Sequence, residues 1–140
     1  MTTFEPVLLE RIHKADSTSL ASYRADGGYA ALGTALKLAP AEVTQRVVDS
    51  KLRGRGGAGF PCGLKWTFLP KDHPGPIYLC VNGDESEPGT FNNRILMELD
   101  PHQLIEGIVI SSYAVGAKAA YIYIRGEMPY GAKILLNAIE

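Results

Sequence analysis

The sequence predicts an α/β fold built on a mainly parallel sheet. Three observations carry that expectation. IYLCV at 77–81 and KAAYIYIR at 118–125 are short, almost wholly apolar runs, the pattern of strands covered on both faces. Between them, about 102–115, lies a stretch with helical periodicity opened by Pro101, a residue whose missing N–H costs nothing in a first turn. Strand, helix, strand is a βαβ unit, whose crossover is right-handed.

The 140 residues suffice for one domain with a sizeable core, read as an N-terminal helical segment, 1–50, followed by an α/β region, 51–140. Hydrophobic content of 46% with 21% charged residues is that of a globular protein, not a disordered one. A formal net charge of −1 argues against a general attraction to nucleic acid. MTTFEPVLLERIHK has no basic start followed by an apolar core, so it does not read as a signal peptide. The window 105–124 has the length of a membrane span, but Glu106, Lys118 and a change of character near Gly116 divide it into helix, turn and strand. The expectation is a soluble, cytoplasmic protein that does not itself insert into a membrane.

In chain order, residues 6–15 predict a short helix with Val7, Leu8 and Ile12 on one face. A second helix is expected over 28–38, ending before Pro40. Pro40 opens a third, AEVTQRVVDSKL at 41–52, with Val43, Val47 and Val48 on its apolar side. LRGRGGAGFPCGLKW at 52–66 is glycine-rich, and KDHPGP at 71–76 is a surface turn. After the first strand come the acidic loop NGDESEPGTF and a turn or two of helix, RILMELD at 94–100. The second strand is followed by GEMP and by YGAKILLNAIE, which begins a helix.

In open α/β sheets ligands bind beyond the carboxyl ends of the strands. The loops Asn82–Gly89 and Gly126–Pro129 would share that edge, bringing Asp84, Glu85, Glu87 and Glu127 together.

Gly54, Gly56 and Gly59 match G-x-G-x-x-G, yet a dinucleotide fingerprint needs a strand before it, and here a helix precedes. Phe60 after Gly59 rules out a P-loop. The composition still favours an anion, because glycines let successive N–H groups turn into one concavity. Arg53, Arg55 and Lys65 add positive charge, and Phe60, Trp66 and Phe68 offer flat surfaces for an adenine or a flavin. A tightly packed turn is the competing reading. The acidic loop reads as a solvated face or as acceptors (Asn82, Asp84, Glu87) for a cofactor's ribityl, ribose or carboxamide groups; the calcium-loop pattern is absent.

Tyr121 and Tyr123 share a strand face, with Tyr121 expected in the core and Tyr123 nearer the ligand edge. His13, His73 and His102 lack partner spacing and are assigned no catalysis; His102 is expected in a first helical turn. Cys62 and Cys80 fit neither a metal knuckle nor a redox pair and are read as thiols, with a disulfide as the lesser alternative.

Taken together, YRADGGY at 23–29, LRGRGGAGFPCGLKW, NGDESEPGTF, DPHQLIEG and YIYIRGE closely resemble the family of FMN- and NADH-binding subunits of respiratory complex I. That family also serves NAD-reducing hydrogenases and NAD-dependent formate dehydrogenases. The resemblance implies a Rossmann-like FMN-binding domain, here incomplete. It implies hydride transfer from NADH to FMN and onward single-electron transfer to iron–sulfur clusters. It also implies a quinone-reducing or related complex with a thioredoxin-like 2Fe–2S subunit, held peripherally on the cytoplasmic face.

Carried over by motif, Gly54, Arg55, Gly56, Gly57, Ala58 and Gly59 with Lys65 would cradle FMN and border the NADH site. Phe60 and Phe68 would stack on adenine. Asn82, Asp84 and Ser86 would bind FMN with Glu85 beside them, and Glu87 would meet the nicotinamide as the catalytic contact. Tyr123, Gly126 and Glu127 would line the far side.

The chain departs from the family in four places: Cys62 for threonine, Lys51 for glycine, Gly83 for alanine, and Asn92-Asn93 for Lys-Asp. The family's four-cysteine 4Fe–4S ligand set has no counterpart here, so no metal ligand is assigned. The sequence thus reads as an N-terminal part. The alternative function is a nucleotide- or flavin-binding or subunit-docking module without turnover.

Overall fold

A computed structural model describes residues 5–70, 72 and 74–140. Part of the expected 71–76 turn, and His73 with it, lies outside the described residues. Two compact units are present. One comprises the N-terminal stretch through Ala30 with Val81–Gly107 and Ile122–Glu140; the other comprises Ala31–Cys80 and Ile108–Tyr121.

Seven helices and two strands are described: α1 (Leu20–Ala25), α2 (Ala30–Ala35), α3 (Pro40–Asp49), α4 (Cys62–Trp66), β1 (Ile77–Gly83), α5 (Asn92–Leu99), α6 (Pro101–Val115), β2 (Ala117–Ile124) and α7 (Pro129–Ile139). The α/β expectation holds: β1 and β2 are parallel, hydrogen-bonded neighbours joined through α5 and α6. The apolar 105–124 window breaks where Gly116 takes φ +69°, ending α6 and starting β2.

Pro40 and Pro101 begin helices where the sequence puts them, and Pro129, expected in the preceding loop, opens α7. Pro40 opens α3, and Glu42 accepts the Ala39 N–H at 2.8 Å. Three N-terminal expectations change. Residues 6–15 form successive turns, closed by Lys14 N–H to Arg11 O at 3.0 Å and Ser17 N–H to Lys14 O at 3.2 Å. Val7 and Leu8 stay 76% and 50% exposed, so no buried apolar face supports a helix there. The helix expected over 28–38 is shorter, because Gly27 (φ +87°) and Tyr29 (φ +64°) are left-handed and delay α2 to Ala30. Helices α1 and α4 were not expected.

In the first unit, Met97, Met128 and Leu135 form the core, with Leu104, Ile122 and Ile124 packed against them. This covers one face of β2 only. The two-sided burial expected of the strands is therefore not found. Tyr78, Tyr121 and Tyr123 are 53%, 61% and 57% exposed, so Tyr121 is not a core residue. Among the described residues the sheet has two strands, and the tyrosines of its other face remain exposed.

A buried polar cluster ties residues 11–29 to the start of α6. Arg11 pairs with Asp26 and Asp100 and lies over the Tyr23 ring. Tyr29 meets His102 Nδ1 at 3.0 Å. His102 is buried in the first turn of α6, where the sequence places it. Burial raises the Asp100 carboxyl despite Arg11 and lowers the His102 imidazole despite Asp100.

Candidate functional site

The glycine loop links two packed helices of the second unit. Its ends close as a small antiparallel ladder: Gly54 N–H donates to Phe60 O at 2.9 Å, Cys62 N–H to Leu52 O at 2.8 Å, and Arg53 bridges Pro61. Arg53 Nη1 donates to Gly59 O at 3.1 Å. The cation expected to face an anion is thus tied to the loop's own backbone. Gly57 (φ +103°) and Gly59 (φ +61°) hold the left-handed turns the loop needs.

Within this closed frame, none of the backbone N–H groups from Arg55 to Phe60 finds a backbone acceptor among the described residues. A Cβ on Gly56, Gly57 or Gly59 would meet nothing within 4 Å, so the space beside them is open. Unshared donors beside open space suit a phosphate or a flavin edge. Arg55 and Lys65 are exposed. Phe60 and Phe68 are 44% and 64% exposed, and their rings lie 6.0 Å apart at 59°. A base between them requires the rings to turn parallel and to move apart.

The acidic loop leaves the carboxyl end of β1, and the 125–128 turn leaves that of β2, so both stand at one sheet edge, as the topology predicts. Asn82 Oδ1 accepts the Asp84 N–H at 3.0 Å, and Ser86 Oγ donates to Asp84 Oδ2. Glu85 has φ +50°, and its carboxylate takes the Asn93 and Arg94 N–H groups at 2.6 and 2.9 Å. It serves as the cap of α5, whose own N-cap, Phe91, has no side-chain acceptor. Glu87 is exposed, and its backbone carbonyl closes the loop on Thr90 Oγ1 at 2.6 Å. Its carboxylate makes no hydrogen bond among the described residues.

On the 125–128 turn, the Glu127 backbone N–H and then Arg125, at 2.9 Å, hold the Glu127 carboxyl below the usual range. Tyr123 and Gly126 are exposed beside it. The expected site residues are thus gathered into two groups, one in each unit: the glycine loop with α4, and the sheet edge.

Two features escaped the sequence reading. The Arg53 brace depends on where the Gly59 carbonyl turns. Gly63 is a glycine inside a helical run, a pattern that flags close packing, and it is buried in α4 against α3. Both cysteines are free, Cys62 half-buried and Cys80 exposed. Among the described residues no helix is long and apolar enough to cross a membrane.

Comparison with known proteins gives the family of the chain. Residues 47–140 match the model of the Nuo51 FMN-binding domain. The chain is 58% identical over 137 residues to an NADH-quinone oxidoreductase subunit of Rhizobium meliloti (strain 1021), covering 97% of this chain and 32% of the relative. It is 58% identical over 134 residues to the corresponding NADH-quinone oxidoreductase subunit of Aquifex aeolicus (strain VF5), covering 96% and 31%. It is also similar to an NAD+-reducing NiFe-hydrogenase solved in the air-oxidized state, with TM-score 0.71 and 34% identity, covering 95% of this chain and 22% of that one. The chain spans about a third of the length of the curated relatives it matches. By the match over 47–140 and by these identities, the chain belongs to the Nuo51 FMN-binding domain family.

Proposed function

We propose that this chain is the flavin- and nucleotide-gripping part of an NADH dehydrogenase of the NADH:quinone oxidoreductase type. The observation that carries the reading is the run of unshared backbone donors from Arg55 to Phe60, held open by a closed frame. Family membership and the names of the relatives support it.

In this reading the glycine loop, with Arg55 and Lys65, holds FMN and borders the nucleotide, while Phe60 and Phe68 take the adenine. Asn82, Asp84 and Ser86 receive the flavin's hydroxyl groups, with Glu85 beside them. Glu87 meets the nicotinamide end, and Tyr123, Gly126 and Glu127 line the far side. Bound FMN supplies an acceptor for a hydride from NADH that gives its electrons up singly to iron–sulfur clusters. The protein's own part is orientation and charge: no side chain takes or gives a proton, and the carboxylates of Asp84, Glu87 and Glu127 disfavour added negative charge at the flavin. Its partners are then NADH and the other members of the complex, including a thioredoxin-like 2Fe–2S protein. Its place is peripheral, on the cytoplasmic face of the membrane.

The test is a flavin titration followed by NADH-dependent ferricyanide reduction. Flavin binding with turnover supports the reading, and no flavin binding by the complete protein ends it. The competing outcome is binding without turnover. Flavin binding without NADH oxidation is its signature.

A further inference from the structure

Two residues that no contact with cofactor explains hold the glycine loop in shape. Gly63 is buried in α4, and a Cβ there would lie 2.8 Å from the Val47 carbonyl carbon and from Val48 Cα, and closer still to Val48 N. All three atoms are backbone of α3, so no side chain can swing aside to make room. Only glycine lets α4 sit this close to α3, and α4 carries Lys65, with Phe60 just before it and Phe68 just after. Arg53 acts at the loop's other side. Its exposed side chain reaches the Gly59 carbonyl at 3.1 Å, inside the ladder formed by the Gly54–Phe60 and Cys62–Leu52 bonds. With Gly59 O so occupied, the peptide that follows Gly59 is held, and the N–H groups from Arg55 to Gly59 have no backbone acceptor among the described residues.

We propose that Gly63 and Arg53 are positioning residues for the nucleotide site: Gly63 sets where α4 places Lys65 and Phe68, and Arg53 acts as a brace on the loop, not as a charge facing the phosphate. This rests on the flavin and NADH reading above. A brace and a charge behave differently toward salt, since the pull of an exposed cation on a phosphate is screened and a hydrogen bond to a neighbouring carbonyl is not. Arg55, on the same loop with no partner among the described residues, is the natural contrast.

The experiment measures NAD+ affinity in the FMN-loaded holoprotein at low and at high salt, for Arg53→Met and Arg55→Met. Arg53→Met should weaken NAD+ binding about tenfold at both salt concentrations, the effect of one lost hydrogen bond in an ordered loop. Arg55→Met should lose affinity mainly at low salt. Gly63→Ala should raise the NADH KM by about tenfold or more while kcat at saturating NADH stays within about twofold, because what moves is the nucleotide's seat. A lower melting point with an unchanged KM would make Gly63 merely structural and overturn its part. If Gly63→Ala does not fold, the exposed Arg53 variant decides. No loss of affinity, or a loss that vanishes at high salt, overturns the brace. A wild-type protein that binds FMN but shows no difference among these variants sinks this inference alone. One that binds neither FMN nor NAD+ sinks the functional reading and this inference with it.

Discussion

Tyr23 donates a 2.5 Å hydrogen bond from its phenol to the Glu106 carboxylate, across 83 positions of sequence. The same carboxylate oxygen takes the Tyr29 N–H at 3.0 Å, so one buried acid on α6 holds both ends of the YRADGGY turn. Burial, then Glu106, keeps the Tyr23 phenol far above its ordinary range, so it stays a donor at any working pH.

Removing that donor should therefore be costly. Tyr23→Phe strips a hydrogen bond from a buried carboxylate and should cost about 1–3 kcal/mol in urea unfolding. Tyr130→Phe, on a side chain 64% exposed, should leave the midpoint in place. Equal midpoints for the two variants would mean that Glu106 does not anchor the turn.

The buried His102 sets a pH dependence. Its imidazole is lowered by burial from an ordinary 6.5, so the unfolded chain binds its proton first as pH falls. The stability that depends on neutral His102 is complete above pH 6.5 and is lost as pH falls toward the lowered folded value. Asp100 works the other way: raised from 3.8, it contributes at low pH and loses that contribution as pH rises through its folded value. Unfolding measured from about pH 7.5 to about pH 5 should show declining stability. His102→Asn, which keeps an acceptor for Tyr29, should flatten the decline. An unflattened slope would assign it to another group.

Lys51 stands where the sequence reading expects glycine, and the structure gives the exchange a cost. It follows the C-cap Ser50 of α3 with φ +56°, the left-handed position at which glycine ends helices without strain. Lys51→Gly should raise stability by about 1 kcal/mol, seen as a higher melting temperature. A lower one would mean that the lysine makes a contact that outweighs its strain.

Glu85 should report on the acidic loop. Losing its two bonds to the start of α5 in Glu85→Ala should cost about 1–2 kcal/mol and speed amide exchange at Asn93 and Arg94. Glu85→Gln, with one acceptor left, should fall between. Unchanged exchange at both amides would remove the capping role.

Sequence made much of this legible, for identifiable reasons. Pro40 and Pro101 mark helix starts through backbone chemistry alone, and the apolar runs at 77–81 and 118–125 mark strands by composition. What failed depended on distant partners. Val7 and Leu8 carry helical spacing, but spacing cannot say whether anything buries them. Tyr121 sits in an apolar run, but composition does not count the layers over a sheet. Arg53 and Arg55 look alike in sequence, and only the path of the Gly59 carbonyl separates a brace from an exposed charge. Glu85, Asp84 and Glu87 likewise read as three equal carboxylates, and the fold gives each a different neighbour.

The proposed function rests most heavily on the glycine loop as a flavin cradle. Amide chemical-shift mapping during an FMN titration tests it most directly. The amides of Gly56, Gly57 and Ala58 should shift together along a single saturating curve. Saturable FMN binding that leaves these three amides in place would contradict the proposed cradle.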